Sequence, residues 1–192
     1  MLRLALAFAL AIAAALPAFA RGPVDAPVIK PGDRWVYHAT DGRRSLSVNS
    51  VSGGGTIDAT IDTPGLSGLE IRYTRNWNVQ MAPIMMMGNV QYQRYDPPVC
   101  LMPAAPWHPG QSWSCDANWS TAAYSGTVHV TGKLIAMDKI TVPAGTFMAL
   151  HAALDVGGTK ADCWYAPKVR NWALCKSALP NYNYALTSYS LK

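Results

Sequence analysis

Beyond residue 30, no stretch of this chain repeats apolar side chains at i, i+3, i+4 and i+7, and 14 glycines and 11 prolines interrupt it at short intervals. A helical fold needs that longer period, so the chain is restricted to short strands joined by turns. Two-residue alternation supplies the strands. Asp33 to His38 reads as a strand, Asp41-Gly42 as a hairpin turn, and Ser45 to Val51 as the returning strand. Gly53-Gly54-Gly55 turns the chain again before a strand over Thr56 to Ile61, and Thr63-Pro64-Gly65 is the next break. Leu69, Ile71, Tyr73, Trp77 and Val79 fall on one face of a longer strand, interrupted by Arg75. Further strands are predicted near 90–95, 111–119, 126–137, 146–155, 161–165, 171–175 and 183–191. Met81 to Gly88 and Asp96 to Gly110 read as irregular. The second of these carries Pro97, Pro98, Pro103, Pro106 and Pro109, none of which can donate to a ladder.

Many strands with short connections predict an all-β fold: an antiparallel meander forming an open or half-closed barrel, which limits exposed edges. Residues 31–192 form a single β-domain of ordinary size, preceded by a linker over 21–30. An internal echo, Pro31-Gly32-x-x-Trp35 and Pro109-Gly110-x-x-Trp113, is consistent with two related halves.

Residues 1–20 read as a secretory signal peptide. Arg3 is followed by an apolar run from Leu4 to Leu16 and by small residues at Ala18-Phe19-Ala20. That run is shorter than the roughly 20 residues that cross a bilayer as a helix. The expected location is therefore periplasmic or secreted. Cys100, Cys115, Cys163 and Cys175 all lie past the signal, and an even number in an oxidising compartment suggests two disulfides. Four cysteines allow three pairings. Cys100 with Cys115 and Cys163 with Cys175 is favoured, because each pair brackets a strand-turn-strand segment.

Three segments resemble known proteins: Lys30-Pro31-Gly32-Asp33-Arg34-Trp35-Val36-Tyr37, Ile140 to Leu150 with its Thr141-Val142-Pro143-Ala144-Gly145-Thr146-Phe147 core, and Trp164-Tyr165-Ala166-Pro167-Lys168-Val169. They are similar to motifs of exported bacterial β-domain proteins called TapB-like. The resemblance implies an open or half-closed barrel and brings no catalytic residues. In such relatives Trp-Tyr-Ala-Pro continues as Gly-Val-Gly, whereas here it continues as Lys168-Val169-Arg170.

Templates for chemistry are absent: there is no GxSxG, HExxH, P-loop or GxGxxG, no CxxC and no CxxCH. Glu70 is the sole glutamate, and most aspartates sit beside turn residues. The formal net charge is +5, and Arg43-Arg44 is the only adjacent basic pair, so no nucleic-acid footprint is visible. His38, His108, His129 and His151 share no metal-ligand spacing. Met81, Met85, Met86 and Met87 form a candidate soft-metal set for copper, with apolar packing as the plainer alternative. A ligand-binding cleft is a further candidate, built from Tyr73, Arg75, Trp77, Tyr92, Arg94, Trp107 and Trp113, in which arginine among aromatics suits an anionic apolar ligand. The expected function is that of an exported, non-enzymatic binding or accessory protein of the bacterial envelope. No cofactor is expected, and a lipid or another envelope protein is the expected partner. The alternatives are a surface interaction module and a small outer-membrane barrel.

Overall fold

A computed structural model describes residues 22–179 and 182–192; the expected signal segment lies outside the described residues. Twelve strands follow one another in sequence: β1 (Arg34–Ala39), β2 (Gly42–Val51), β3 (Ile57–Thr63), β4 (Leu66–Tyr73), β5 (Val79–Met86), β6 (Asn89–Val99), β7 (Ser112–Ser120), β8 (Ser125–Val142), β9 (Gly145–Val156), β10 (Thr159–Ala166), β11 (Asn171–Ser177) and β12 (Tyr184–Ser190). A one-turn 3-10 helix, Pro167–Val169, stands between β10 and β11. Each strand pairs antiparallel with its sequence neighbour, and β1 pairs with both β2 and β12, so the meander closes completely into a barrel.

Apolar residues face inward and polar ones outward. On β7, Ser112, Ser114, Asp116, Asn118 and Ser120 are exposed while Ala117 is buried. On β8, Thr127, His129, Thr131 and Lys133 are exposed and Val130 and Leu134 are buried. Period-2 patterning thus fixes which face is the core.

The two echoed Pro-Gly loops occupy equivalent places. Pro31-Gly32 precedes β1 and Pro109-Gly110 precedes β7, the first and seventh of twelve strands. Both glycines adopt left-handed backbone (φ 89° and 90°), where a Cβ is disfavoured. Gly32 N donates to Val48 O and Val48 N to Asp33 O; Gly110 N donates to Leu134 O and Leu134 N to Gln111 O. The same loop-to-strand clamp therefore occurs once in each half.

Wall pairing thins at three seams. β4 meets β5 only at Arg72 and Tyr73, β6 meets β7 only over Arg94–Asp96, and β11 meets β12 only at Leu174 and Cys175. Below the last seam the β8–β9 hairpin fills the gap: a register shift between Leu134 and Ala136 bends it, Ala144 N donates to Leu186 O, and Phe147 packs edge-on against Tyr189. Below the second, the Cys100–Cys115 disulfide joins the strands' flanks, and Cys163–Cys175 ties β10 to β11, the pairing favoured from spacing.

Three segments differ from expectation. The Leu69–Val79 run is two strands, broken by a turn over residues 74–78 in which Trp77 takes φ 62°. Met81 to Gly88 is mostly strand β5, not irregular; the methionines and Pro83 give it little β-propensity, and pairing with β6 imposes it. β6 runs on through Pro97 and Pro98, which is tolerated because past Asp96 its β7 side has no ladder for them to interrupt.

Candidate functional site: the barrel lumen

The end at which β1 begins is closed. Trp35, Trp77, Trp107, Met102 and Tyr165 are fully buried there. Trp35 meets Trp77 edge-to-face at 5.5 Å, and Trp107 meets Tyr165 at 4.9 Å. Every indole N–H in this plug finds a backbone carbonyl: Trp35 donates to Val169 O (2.7 Å), Trp77 to Arg170 O (2.9 Å) and Trp107 to Pro103 O (3.0 Å). Trp113, above them on β7, donates to Cys100 O (2.7 Å). It lies across Gly132 of β8, where any Cβ would come within 2.1 Å of its ring. The linker joins this plug, since Val24 and Trp107 exchange backbone hydrogen bonds of 2.7 Å.

Above the plug the lumen is hollow, with a cavity of about 600 Å³ that is mainly apolar. Leu46, Ile61, Ile71, Val79, Val99 and Leu154 form its greasy wall, with Tyr37, Tyr73 and Tyr184 among them. Most of its polar lining comes from the opposite end, through Arg44, Ser45, Gln93, Tyr95, Thr159 and Ser177, with buried Asn171 the exception at the closed end. Arg44 is held by Asp41, whose carboxyl that hydrogen bond keeps below its usual range. Leu179 and Tyr182 stand at the mouth.

Burial pushes the phenols of Tyr37, Tyr73, Tyr165 and Tyr184 well above their ordinary value, and that of Tyr95 up to about 12. For Tyr37 and Tyr73 the neighbouring Tyr184 adds to the rise. In the unfolded chain these groups titrate near pH ~10. Between that pH and the folded values, the unfolded chain has lost protons that the folded one retains, so stability falls with rising pH. The contribution is intact below pH ~10 and disappears as pH climbs through the folded values. Alkaline titration followed by phenolate absorbance should show these five of the nine tyrosines ionising only with unfolding. Nine phenolates appearing near pH ~10 in a protein that keeps its near-ultraviolet dichroism would contradict this packing.

The residues selected from sequence divide into several places. Tyr73 and Trp77 line the lumen. Trp107 belongs to the plug, and Trp113 is half-buried on the inner face of β7. Arg75 sits at the tip of the β4–β5 turn, exposed, and borders a separate groove of about 380 Å³ with Asp25–Ile29 and Pro106. Tyr92 and Arg94 pair with Pro83 and Met81 on the outer wall. The Tyr92 hydroxyl accepts from Glu70 N at 3.4 Å, and Arg94 borders a shallow depression at the β6–β7 seam. The methionines do not converge. Met81 is buried, Met85 and Met86 take opposite faces, and Met87 occupies the hairpin tip with φ 51°. Among the described residues, no group of three or more His, Cys, Asp or Glu is placed to hold a metal ion. His129 and His151 pair with aspartates on the outer wall: His129 with Asp116, and His151 with Asp162 and Asp138, stacked on Trp164.

The sequence reading missed Tyr37, Gln93, Tyr95, Trp119 and Tyr184 as lumen residues, although alternation along their strands places them on the inner face. It took Arg75 inward because the turn at 74–78 has no Pro or Gly to mark it. Asp33 was also missed. Its buried carboxylate accepts from Lys30 N (3.0 Å) and Lys192 N (2.7 Å) and pairs with Arg170 (3.3 Å).

No protein-family model matches this chain, and no curated protein matches it. Among solved structures, the chain is similar to that of a candidate exported protein with a YmcC-like fold from Bacteroides fragilis. The identity is 12%, the TM-score is 0.46, and the match covers 88% of this chain and 100% of the other.

Proposed function

We propose that this chain is an exported, non-enzymatic binding protein that holds one apolar or amphipathic ligand inside the barrel. The observation that carries the proposal is the lumen itself: about 600 Å³, apolar in depth and polar at the mouth. Ligand pockets fall in the range of roughly 300–1,000 Å³, apolar with a few placed polar groups. A ligand with a hydrocarbon body and a small polar or anionic end fits this gradient, with the end at Arg44, Ser45, Gln93 and Tyr95. Export is supported by the N-terminal signal pattern and by two disulfides that a reducing compartment would open. The polar outward faces of β7 and of the first half of β8 support a barrel surrounded by water, since a barrel spanning a bilayer carries an apolar outward band.

Two measurements test this. Native mass spectrometry of protein purified from the periplasm should show an additional bound mass that organic extraction removes. A fluorescent acyl-chain probe should bind the extracted protein, and Ala161→Phe, which places a ring in the lumen, should weaken it by at least about tenfold while leaving the fold intact. An empty mass together with no saturable probe binding would sink the proposal.

A further inference from the structure

We infer that the floor of the lumen, at Asn171 and Tyr73, is a site for a neutral carbonyl oxygen, so that the ligand carries a ketone, ester or amide in the part of its body farthest from the mouth. This rests on the lumen being the binding cavity and adds what that cavity selects.

Asn171 opens β11, lines the lumen and is only 3% exposed. Its Oδ1 accepts from Trp172 N at 2.7 Å. A backbone N–H can only donate, so this bond fixes which side of the amide is the carbonyl and which is Nδ2. Nδ2 itself has no hydrogen-bond partner among the described residues. Buried donors in folded proteins are paired almost without exception, and the protein around Asn171 supplies no acceptor, so the acceptor has to come from the lumen. Tyr73 stands close by, and Trp77 links the two. The Trp77 ring meets the Tyr73 ring edge-to-face at 5.2 Å, and its Nε1 donates to the carbonyl of Arg170, the residue before Asn171, at 2.9 Å. Burial and the neighbouring phenol of Tyr184 are what act on the Tyr73 hydroxyl, with no hydrogen bond among the causes. The floor thus offers an amide N–H and a phenol O–H.

The acceptor these donors suit is neutral. Among the described residues, Arg44 is the only charged one that lines the lumen; it stands at the other end and is already held by Asp41. A carboxylate or phosphate brought down to Asn171 would give up its hydration with no cation to replace it. A hydroxyl would bring a donor of its own, and Asn171 Oδ1 is already taken by Trp172 N. A carbonyl oxygen has two lone pairs and no donor to satisfy, so it can receive the amide and the phenol together. Ile71, Trp77, Val79 and Val99 leave the rest of this end of the lumen to hydrocarbon. A plain acyl chain would bury the Asn171 amide unpaired, which is the costly outcome.

The test is competition against the fluorescent acyl-chain probe on the full, disulfide-bonded chain, with dodecanoate and its 7-, 9- and 11-oxo derivatives as competitors. These acids share the anionic end and the chain and differ only in the carbonyl. At least one oxo acid should displace the probe at about tenfold lower concentration than dodecanoate, the gain expected from pairing an otherwise orphaned donor. In the nitrogen-15 spectrum of the parent protein, the side-chain amide of Asn171 should shift with that acid and stay in place with dodecanoate. Asn171→Ala should abolish the advantage; because it also gives up the bond to Trp172 N, the amide resonance of the parent serves as the test should this variant not fold. Tyr73→Phe, which keeps the ring, should reduce the advantage by about threefold. Tyr95→Phe at the mouth should affect the two kinds of acid alike. If the probe binds and dodecanoate displaces it as well as every oxo acid does, the inference is overturned and the binding proposal stands. An oxo advantage that leaves the Asn171 amide unmoved overturns the inference too. If the probe does not bind at all, the binding proposal falls and takes this inference with it.

Discussion

Replacing Trp35 with alanine is expected to lower the free energy of unfolding by about 3–5 kcal/mol, the range for removing a buried large aromatic. Trp35 has no exposed surface, packs at 5.5 Å against Trp77, and spends its only polar group on Val169 O. Alanine would leave a cavity in the plug and an orphaned carbonyl in the one-turn helix before β11. Trp35→Phe separates these contributions, since it retains most of the ring contact and loses the hydrogen bond; a loss of about 1–2 kcal/mol is expected. Denaturant unfolding of disulfide-intact protein measures both. A Trp35→Ala loss below ~1 kcal/mol would mean that the closed end is not packed as described.

Asp33→Ala is the second large effect, at about 3–5 kcal/mol. One buried carboxylate serves the linker through Lys30 N, the C-terminal segment through Lys192 N and the β10–β11 connection through Arg170. Without it, two backbone donors lose their acceptor and the guanidinium, which also donates to Lys192 O, loses its ion pair. Arg170 provides an internal comparison. It holds left-handed backbone, φ 59° and ψ 19°, and such a conformation costs a non-glycine residue about 1–3 kcal/mol. Arg170→Gly should relieve that cost while losing the ion pair, and its net effect should stay within about 1 kcal/mol. Equal losses for Asp33→Ala and Arg170→Gly would show that the ion pair alone matters, against the three-way clamp proposed for the carboxylate.

Much of the fold is legible because β-structure is patterned locally. Trp35 and Tyr37 alternate with Arg34, Val36 and His38 in the sequence, and the barrel places Trp35 in the plug and Tyr37 in the lumen. The strand over 171–175, which the structure extends to Ser177, and the hairpin ending at Cys175 are readable for the same reason. Both disulfides follow from short spacing, since residues 12 and 15 apart across a turn are brought together by the hairpin or its flanks. The methionine segment reads as irregular because it shows no two-residue alternation, whereas pairing across a short turn with β6 makes it strand. Of the cleft residues chosen from sequence, Tyr73 and Trp77 reach the cavity because their alternation survives the turn between β4 and β5. Arg75 does not, because that turn carries no glycine or proline to announce it.

The order of strands, their inner faces and their neighbouring partners were thus set by the sequence, through a two-residue period that acts between chain neighbours. Tertiary structure alone decided that β1 meets β12 and closes the wall, that the middle stays hollow while one end fills with tryptophan, and that Asp33 meets residues 137 and 159 positions away. Those outcomes depend on curvature accumulated over twelve strands and on contacts between distant parts of the chain, to which local alternation is blind.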